Sequence, residues 1–174
     1  MIMDIKLTGQ LYEQILRDLV RPHAFAKERV GFTLGRLGSA AGNSKIILLN
    51  RYHSIPDVEY IRDPNVGARI GSAALTWAMQ AIYHGRPSNE GLFHVHLHGN
   101  LGEPRMSLTD SRELPKLIPG FQSVGPEAPH GIIIFSRNHG AGWVWLPGSS
   151  APLQATTISV VGNPIGVFSR RGVK

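Results

Sequence analysis

Residues 90–110, EGLFHVHLHGNLGEPRMSLTD, decide how the rest of the chain is read. Within LFHVHLH the residues alternate strictly, so a strand would carry Phe93, Val95 and Leu97 on one face and His94, His96 and His98 on the other. Two imidazoles two residues apart can both reach one ion. A Gly/Pro loop follows, and Ser107 or Thr109 can then cap a short helix with Asp110 in its first turn. His96, His98 and Asp110 thereby form a candidate set of three metal ligands. Ser107, three residues before Asp110, is placed to donate to a developing oxyanion.

Upstream, the short apolar run Ile2 to Leu7 precedes a helix capped by Thr8, with Leu11, Ile15, Leu16 and Leu19 on one face and Pro22 as its stop. ERVGFTLGRL and KIILLNRY read as two strands of a hairpin around the turn-rich GSAAGNS. DVEYIRDPN has loop character. From Ala68 to Tyr83, helical spacing of Ile70, Ala74, Trp77 and Ala81 predicts the best-formed helix, with Gly85 and Pro87 as stop signals. Downstream, GIIIFS and GWVWLP around NHGAG, then TTISVVG, read as strands. Helices and strands mix without a regular βαβ repeat, which makes the class α+β.

The composition bounds the chemistry. With 174 residues, 42% apolar and 17% charged, the chain is expected to form one globular domain. The net charge of +6 is scattered, with no stripe of basic and aromatic residues, which argues against nucleic acid. There is no cysteine, so a metal must be held by His and carboxylates. The start lacks the pattern of a signal peptide and no run of about 18 apolar residues occurs, so a cytoplasmic protein without a membrane partner is expected. The segment from Phe168 to Lys174, with Arg170 and Arg171, reads as a basic, solvated tail after a domain of residues 1–167.

The stretch 90–110 resembles the signature of the JAMM (JAB/MPN) metalloproteases, a His-x-His pair followed after a short loop by Ser-x-x-Asp, with a glutamate far upstream. ERVGFTLG is similar to the family's Glu-x-x-Gly-x-Leu-x-Gly strand and supplies Glu28. The resemblance covers roughly residues 1–161. It implies a JAB/MPN-like (cytidine-deaminase-like) fold, a mostly antiparallel central sheet flanked by helices. It also implies Zn²⁺ held by His96, His98 and Asp110, Glu28 as general base and Ser107 as oxyanion stabiliser. The implied activity is that of a bacterial, deubiquitinase-like isopeptidase acting at the C-terminus of a ubiquitin-like protein, in deconjugation or precursor maturation. The implied partners are that protein or its conjugates and the activating or conjugating enzymes of the same system.

Eight residues separate His98 from Ser107, one more than the family's common spacing, a loop change that is easily absorbed. The alternative pair His94 and His96 needs a larger one, which leaves His94 for a supporting or substrate-facing place. A non-catalytic MPN scaffold is the alternative within the family. The pattern HxHxxxxE, ending on Glu103, also resembles the first metal motif of the cupins and would imply iron or manganese. Trp77 reads as core, and Trp143 and Trp145 as core or a binding patch. His23, His53, His84, His130 and His139, near turns, read as surface residues.

Overall fold

The computed structural model describes residues 2–22, 27–39, 42, 44–63, 65–162 and 165–170. One nine-stranded sheet organises the chain: β1 (Ile2–Thr8), β2 (Val30–Ser39), β3 (Ser44–Ser54), β4 (Glu90–Leu97), β5 (His130–Phe135), β6 (Gly140–Trp145), β7 (Leu153–Gln154), β8 (Thr157–Val161) and β9 (Gly166–Ser169). Their order across the sheet is β7-β6-β5-β4-β2-β3-β1-β8-β9. Strands β4/β5, β1/β3 and β1/β8 pair in parallel and the other neighbours antiparallel.

This corrects the expected JAB/MPN-like, mostly antiparallel sheet: the chain forms a mixed sheet that curls into a half-barrel. Alternation of apolar and polar residues fixes which face a side chain takes. It carries no information on whether the neighbouring strand runs up or down. Here β1 inserts between β3 and β8, which sequence proximity does not suggest. The curl brings β6 against β8 and β9, although five strands separate β6 from β8 in the sheet.

Both faces are buried, by different helices. Helix α1 (Gly9–Leu19) starts where the Thr8 hydroxyl accepts from the Leu11 amide at 3.2 Å, and it turns Leu11, Ile15 and Leu19 inward. They join Met3, Ile5, Leu7, Phe93, Val95 and Phe135 in a core that gathers residues from both ends of the sheet, its concave side. Helices α2 (Ser72–Gly85) and α3 (Leu108–Val124) cover the other face over β2, β4 and β5, packing Ala78, Ile82, Ile118 and Phe121 on Phe32, Leu92 and Ile132. Fully burying one such side chain stabilises the fold by roughly 1.5–3 kcal/mol.

Helix α2 begins four residues later than the periodicity predicts. Ile70 instead bridges to Tyr60, and the Gly71 amide bonds the Glu59 carbonyl at 2.6 Å, so the chain reaches the helix extended. The short helix anticipated around Asp110 is α3, 17 residues long. Pro115 and Pro119 lie inside it, and their missing N–H groups remove bonds to Ser111 and Pro115 without ending it, because its inner face is packed.

Phe168 and Ser169 belong to β9 and pair with Ile158 and Thr157, and the Arg170 amide bonds the Thr156 carbonyl, so the sheet runs past the expected boundary at residue 167. His23, Arg171 and Lys174 lie outside the described residues. Among the described residues no helix is long and apolar enough to cross a membrane.

A candidate metal centre at the end of strand β4

The His-bearing face of β4 lies toward α2 and α3, so the imidazoles replace aliphatic side chains that this face would otherwise bury. His96 is 1% exposed and His94 5%. His98 follows the strand, yet its amide still donates to the Phe135 carbonyl at 2.8 Å. That bond prolongs the ladder with β5 and keeps the His98 ring on the same side as His96. The two Nε2 atoms come to 3.1 Å of one another.

Asp110 arrives through the start of α3. Ser107 is the N-cap: its hydroxyl accepts from the Asp110 amide at 3.0 Å, and Asp110 Oδ2 accepts from the Ser107 amide at 2.8 Å. This reciprocal pair fixes the Asp110 rotamer. Its Oδ1 lies 3.5 Å from His96 Nε2 and its Oδ2 3.4 Å from His98 Nε2. The longer loop between β4 and α3 is tied down by three bonds: Arg137 amide to Asn100 carbonyl, Gly102 amide to Asn138 Oδ1, and Ser136 hydroxyl to Gly102 carbonyl. One extra residue therefore leaves Ser107 and Asp110 still able to reach the histidines.

Glu28 enters from the neighbouring strand. Val30 pairs with His96, and extending that antiparallel register two residues sets Glu28 beside His98. A Glu28 carboxylate oxygen and one ring nitrogen each of His96 and His98 lie within 4.8 Å of one another. Two acidic groups thus approach the imidazole pair, Glu28 from the β2 side and Asp110 from α3. Neither Asp110, the expected third ligand, nor Glu103, the carboxylate of the cupin-like pattern, is part of this group.

The electrostatics reflect the convergence. Asp110 is partly buried, which by itself raises its pKa, but hydrogen bonds from His96 and His98 outweigh this and hold the carboxyl well below the usual range. His98 is pushed up, first by its bond to Asp110 and further by Glu28, against partial burial. Burial and the neighbouring His96 push His94 down to about 3, so its ring is neutral. The Nδ1 atoms of His94 and His96 are buried with no hydrogen-bond partner among the described residues.

The separations of 3.1, 3.4 and 3.5 Å test whether a metal fits. For bonds of about 2.0–2.1 Å, the edge of a tetrahedral coordination shell is about 3.3 Å. The 3.5 and 3.4 Å distances run to different Asp110 oxygens, and the three groups that each offer one atom within 4.8 Å of the others are Glu28, His96 and His98, a donor set that could hold a metal without singling out zinc. Cysteine-rich structural zinc sites are closed to this chain, which has no cysteine.

A cleft of about 560 Å³ opens over the centre. One wall is Asp63 with the residues from Val66 to Ile70, the other is α3 at Leu114 and Leu117, and the floor includes Val30, His94 and His96. Beyond its turn residues, nothing in the stretch from Val66 to Ile70 marks it as the wall of a site. Trp145 is buried in the core beneath α3, and Trp77 stacks between Phe32 and His53. His130, anticipated at the surface, is fully buried: its Nδ1 accepts from the Leu92 amide at 3.2 Å and its Nε2 faces the Gly125 carbonyl at 3.0 Å.

No protein-family model and no curated protein matches the chain. A solved structure to which it is similar is the Trichoplax adhaerens STIL N-terminal domain, at 11% identity and a TM-score of 0.38. The match covers 80% of this chain and 40% of that one, so the chain spans less than half of that structure's length. It lends no support to the JAB/MPN resemblance.

Proposed function

We propose that the chain is a zinc-dependent metallopeptidase that hydrolyses an isopeptide or peptide bond at the C-terminus of a ubiquitin-like protein. The observation that supports this is the convergence of His96, His98 and Glu28, each offering one atom within 4.8 Å of the others, with the two Asp110 oxygens 3.5 Å from His96 Nε2 and 3.4 Å from His98 Nε2. When bound there, zinc supplies a Lewis acid that polarises a carbonyl and lowers the pKa of water to about 7.

The protein's own groups do the rest. Glu28 accepts a proton from water as its oxygen adds to the carbonyl carbon, and delivers it to the leaving nitrogen as the C–N bond breaks. The products are a carboxylate and an amine. Ser107 uses its lone pair to cap α3 and keeps its O–H to donate to the carbonyl oxygen as charge gathers there. The Ser107 amide holds Asp110 still through both events.

Substrate class follows from the resemblance and from the cleft. A cleft between the residues from Val66 to Ile70 and α3, opening on the imidazoles, suits an extended C-terminal tail whose backbone lies along the walls. Deubiquitinase-like removal of a modifier, or maturation of its precursor, fits that shape, with the enzymes of the same conjugation system as further partners.

The test is a panel of ubiquitin-like proteins carrying a fluorogenic amide at the C-terminus, offered to zinc-loaded wild type and to Glu28→Gln. Release from at least one by the wild type, and at a rate lower by about a hundredfold to ten-thousandfold by the variant, is expected. Equal release by both proteins would contradict the assignment.

A further inference from the structure

The Glu28 carboxylate rests on a residue of the facing segment that has no side chain. A Cβ built at Gly67 would stand 2.9 Å from Glu28 Oε2 and 3.1 Å from Cδ, so the carboxylate takes the space that a side chain at position 67 would need. The Gly67 carbonyl also accepts from the Lys27 amide at 2.8 Å and the Glu28 amide at 3.0 Å. One residue therefore holds the backbone of Glu28 and leaves the room its carboxylate occupies. We propose that Gly67 is a positioning residue that sets the Glu28 carboxylate beside the His96 and His98 rings, an inference whose catalytic consequence rests on the hydrolase function proposed above.

The surroundings leave Glu28 little freedom to respond in any other way. The segment carrying Gly67 is closed at its base by the Ile61 amide to Arg69 carbonyl bond, the Tyr60–Ile70 bridge and the Gly71 amide to Glu59 carbonyl bond. Its turn is shaped by Asp63, which accepts from the Asn65 amide at 3.0 Å and pairs with Arg69 at 3.5 Å. On the other side, Arg29 is buried and donates to Asp57 and to the carbonyls of Arg21 and Pro22. The Tyr60 hydroxyl bonds both the amide and the carbonyl of Val30. With both backbones held, a methyl group at position 67 displaces the end of a flexible side chain, which costs the fold little and moves the one group the reaction needs in place.

The experiment compares Gly67→Ala with wild type, alone and in the Glu28→Gln background, by crystal structure, zinc content, melting temperature and steady-state kinetics. Expected are a displaced Glu28 carboxylate, unchanged zinc content and melting temperature, and kcat lower by on the order of tenfold to a hundredfold at unchanged KM. Adding Gly67→Ala to Glu28→Gln should lower the residual rate no further. An unmoved carboxylate, a wild-type kcat, an additional fall in the Glu28→Gln background, or loss of zinc would each overturn the proposal. If the wild type cleaves nothing, the hydrolase function fails, while the crystal structure still decides whether Gly67 positions Glu28.

Discussion

His96 Nε2 and His98 Nε2 face one another across 3.1 Å although only His96 lies within strand β4. The pairing depends on the bond from the His98 amide to Phe135, which extends strand geometry one residue past the point where the chain turns. Everything else at the centre is arranged around that pair: Asp110 through a helix cap, Glu28 through the register of β2.

Ser107 has two duties that can be separated. Ser107→Ala loses the hydroxyl but keeps the amide that holds Asp110, so zinc should stay bound. Losing the cap costs about 1 kcal/mol of stability. Losing the oxyanion donor should lower kcat by about a hundredfold to a thousandfold. Ser107→Thr restores both. Zinc content, urea unfolding and kcat for the two variants check this; an unchanged kcat in Ser107→Ala would remove the oxyanion role.

Tyr60→Phe reaches the site from a distance. Its hydroxyl accepts from the Val30 amide at 3.0 Å and donates to the Val30 carbonyl at 2.9 Å, both buried. Removing it leaves two backbone groups unpaired at the start of β2, a loss of about 1–3 kcal/mol. Glu28 is two residues away, so kcat should fall as well. Urea unfolding and kinetics measure the two effects, and a variant as stable as wild type would contradict the pairing.

His130 supplies a pH dependence remote from the metal centre. Burial pushes its pKa below the ordinary value of 6.5, only partly offset by its bond to the Gly125 carbonyl. The folded state therefore binds this proton less readily than the unfolded chain. Its contribution to stability is complete above about pH 6.5 and is lost progressively as pH falls below that. Asparagine can still accept from Leu92. His130→Asn should be less stable at pH 7 by about 1–3 kcal/mol, through the unpaired Gly125 carbonyl, and should show a flatter loss between pH 7 and 5. Equal slopes for the two proteins would refute the assignment.

The parts of the fold that were legible in the sequence are those with a local cause. Strand alternation put His94 and His96 on one face, and Thr8 marked the start of α1 because its hydroxyl bonds an amide only three residues on. Pairing partners were not legible: nothing local distinguishes β1 lying parallel to β3 and β8 from an antiparallel neighbour, and the JAB/MPN-like sheet expected from the motif gave way to the curled mixed one. Ile70 kept helical spacing but was drawn into a bridge with Tyr60. Pro115 and Pro119 hid the length of α3, because packing of Ile118 and Phe121 compensates for the bonds they remove. At the site, the spacing of His96, His98, Ser107 and Asp110 was readable, whereas Gly67, which touches Glu28 across 39 residues of sequence, stood in a stretch that offered only turn chemistry.

The most direct measurement is the zinc content of the untagged protein beside its His98→Ala, Asp110→Ala and Glu28→Gln variants, by elemental analysis after dialysis. About one zinc per chain in wild type and in Glu28→Gln, lost in the other two, is the expected result. A wild type that holds no zinc under zinc-replete conditions, or an Asp110→Ala protein that keeps it, would contradict the centre described above.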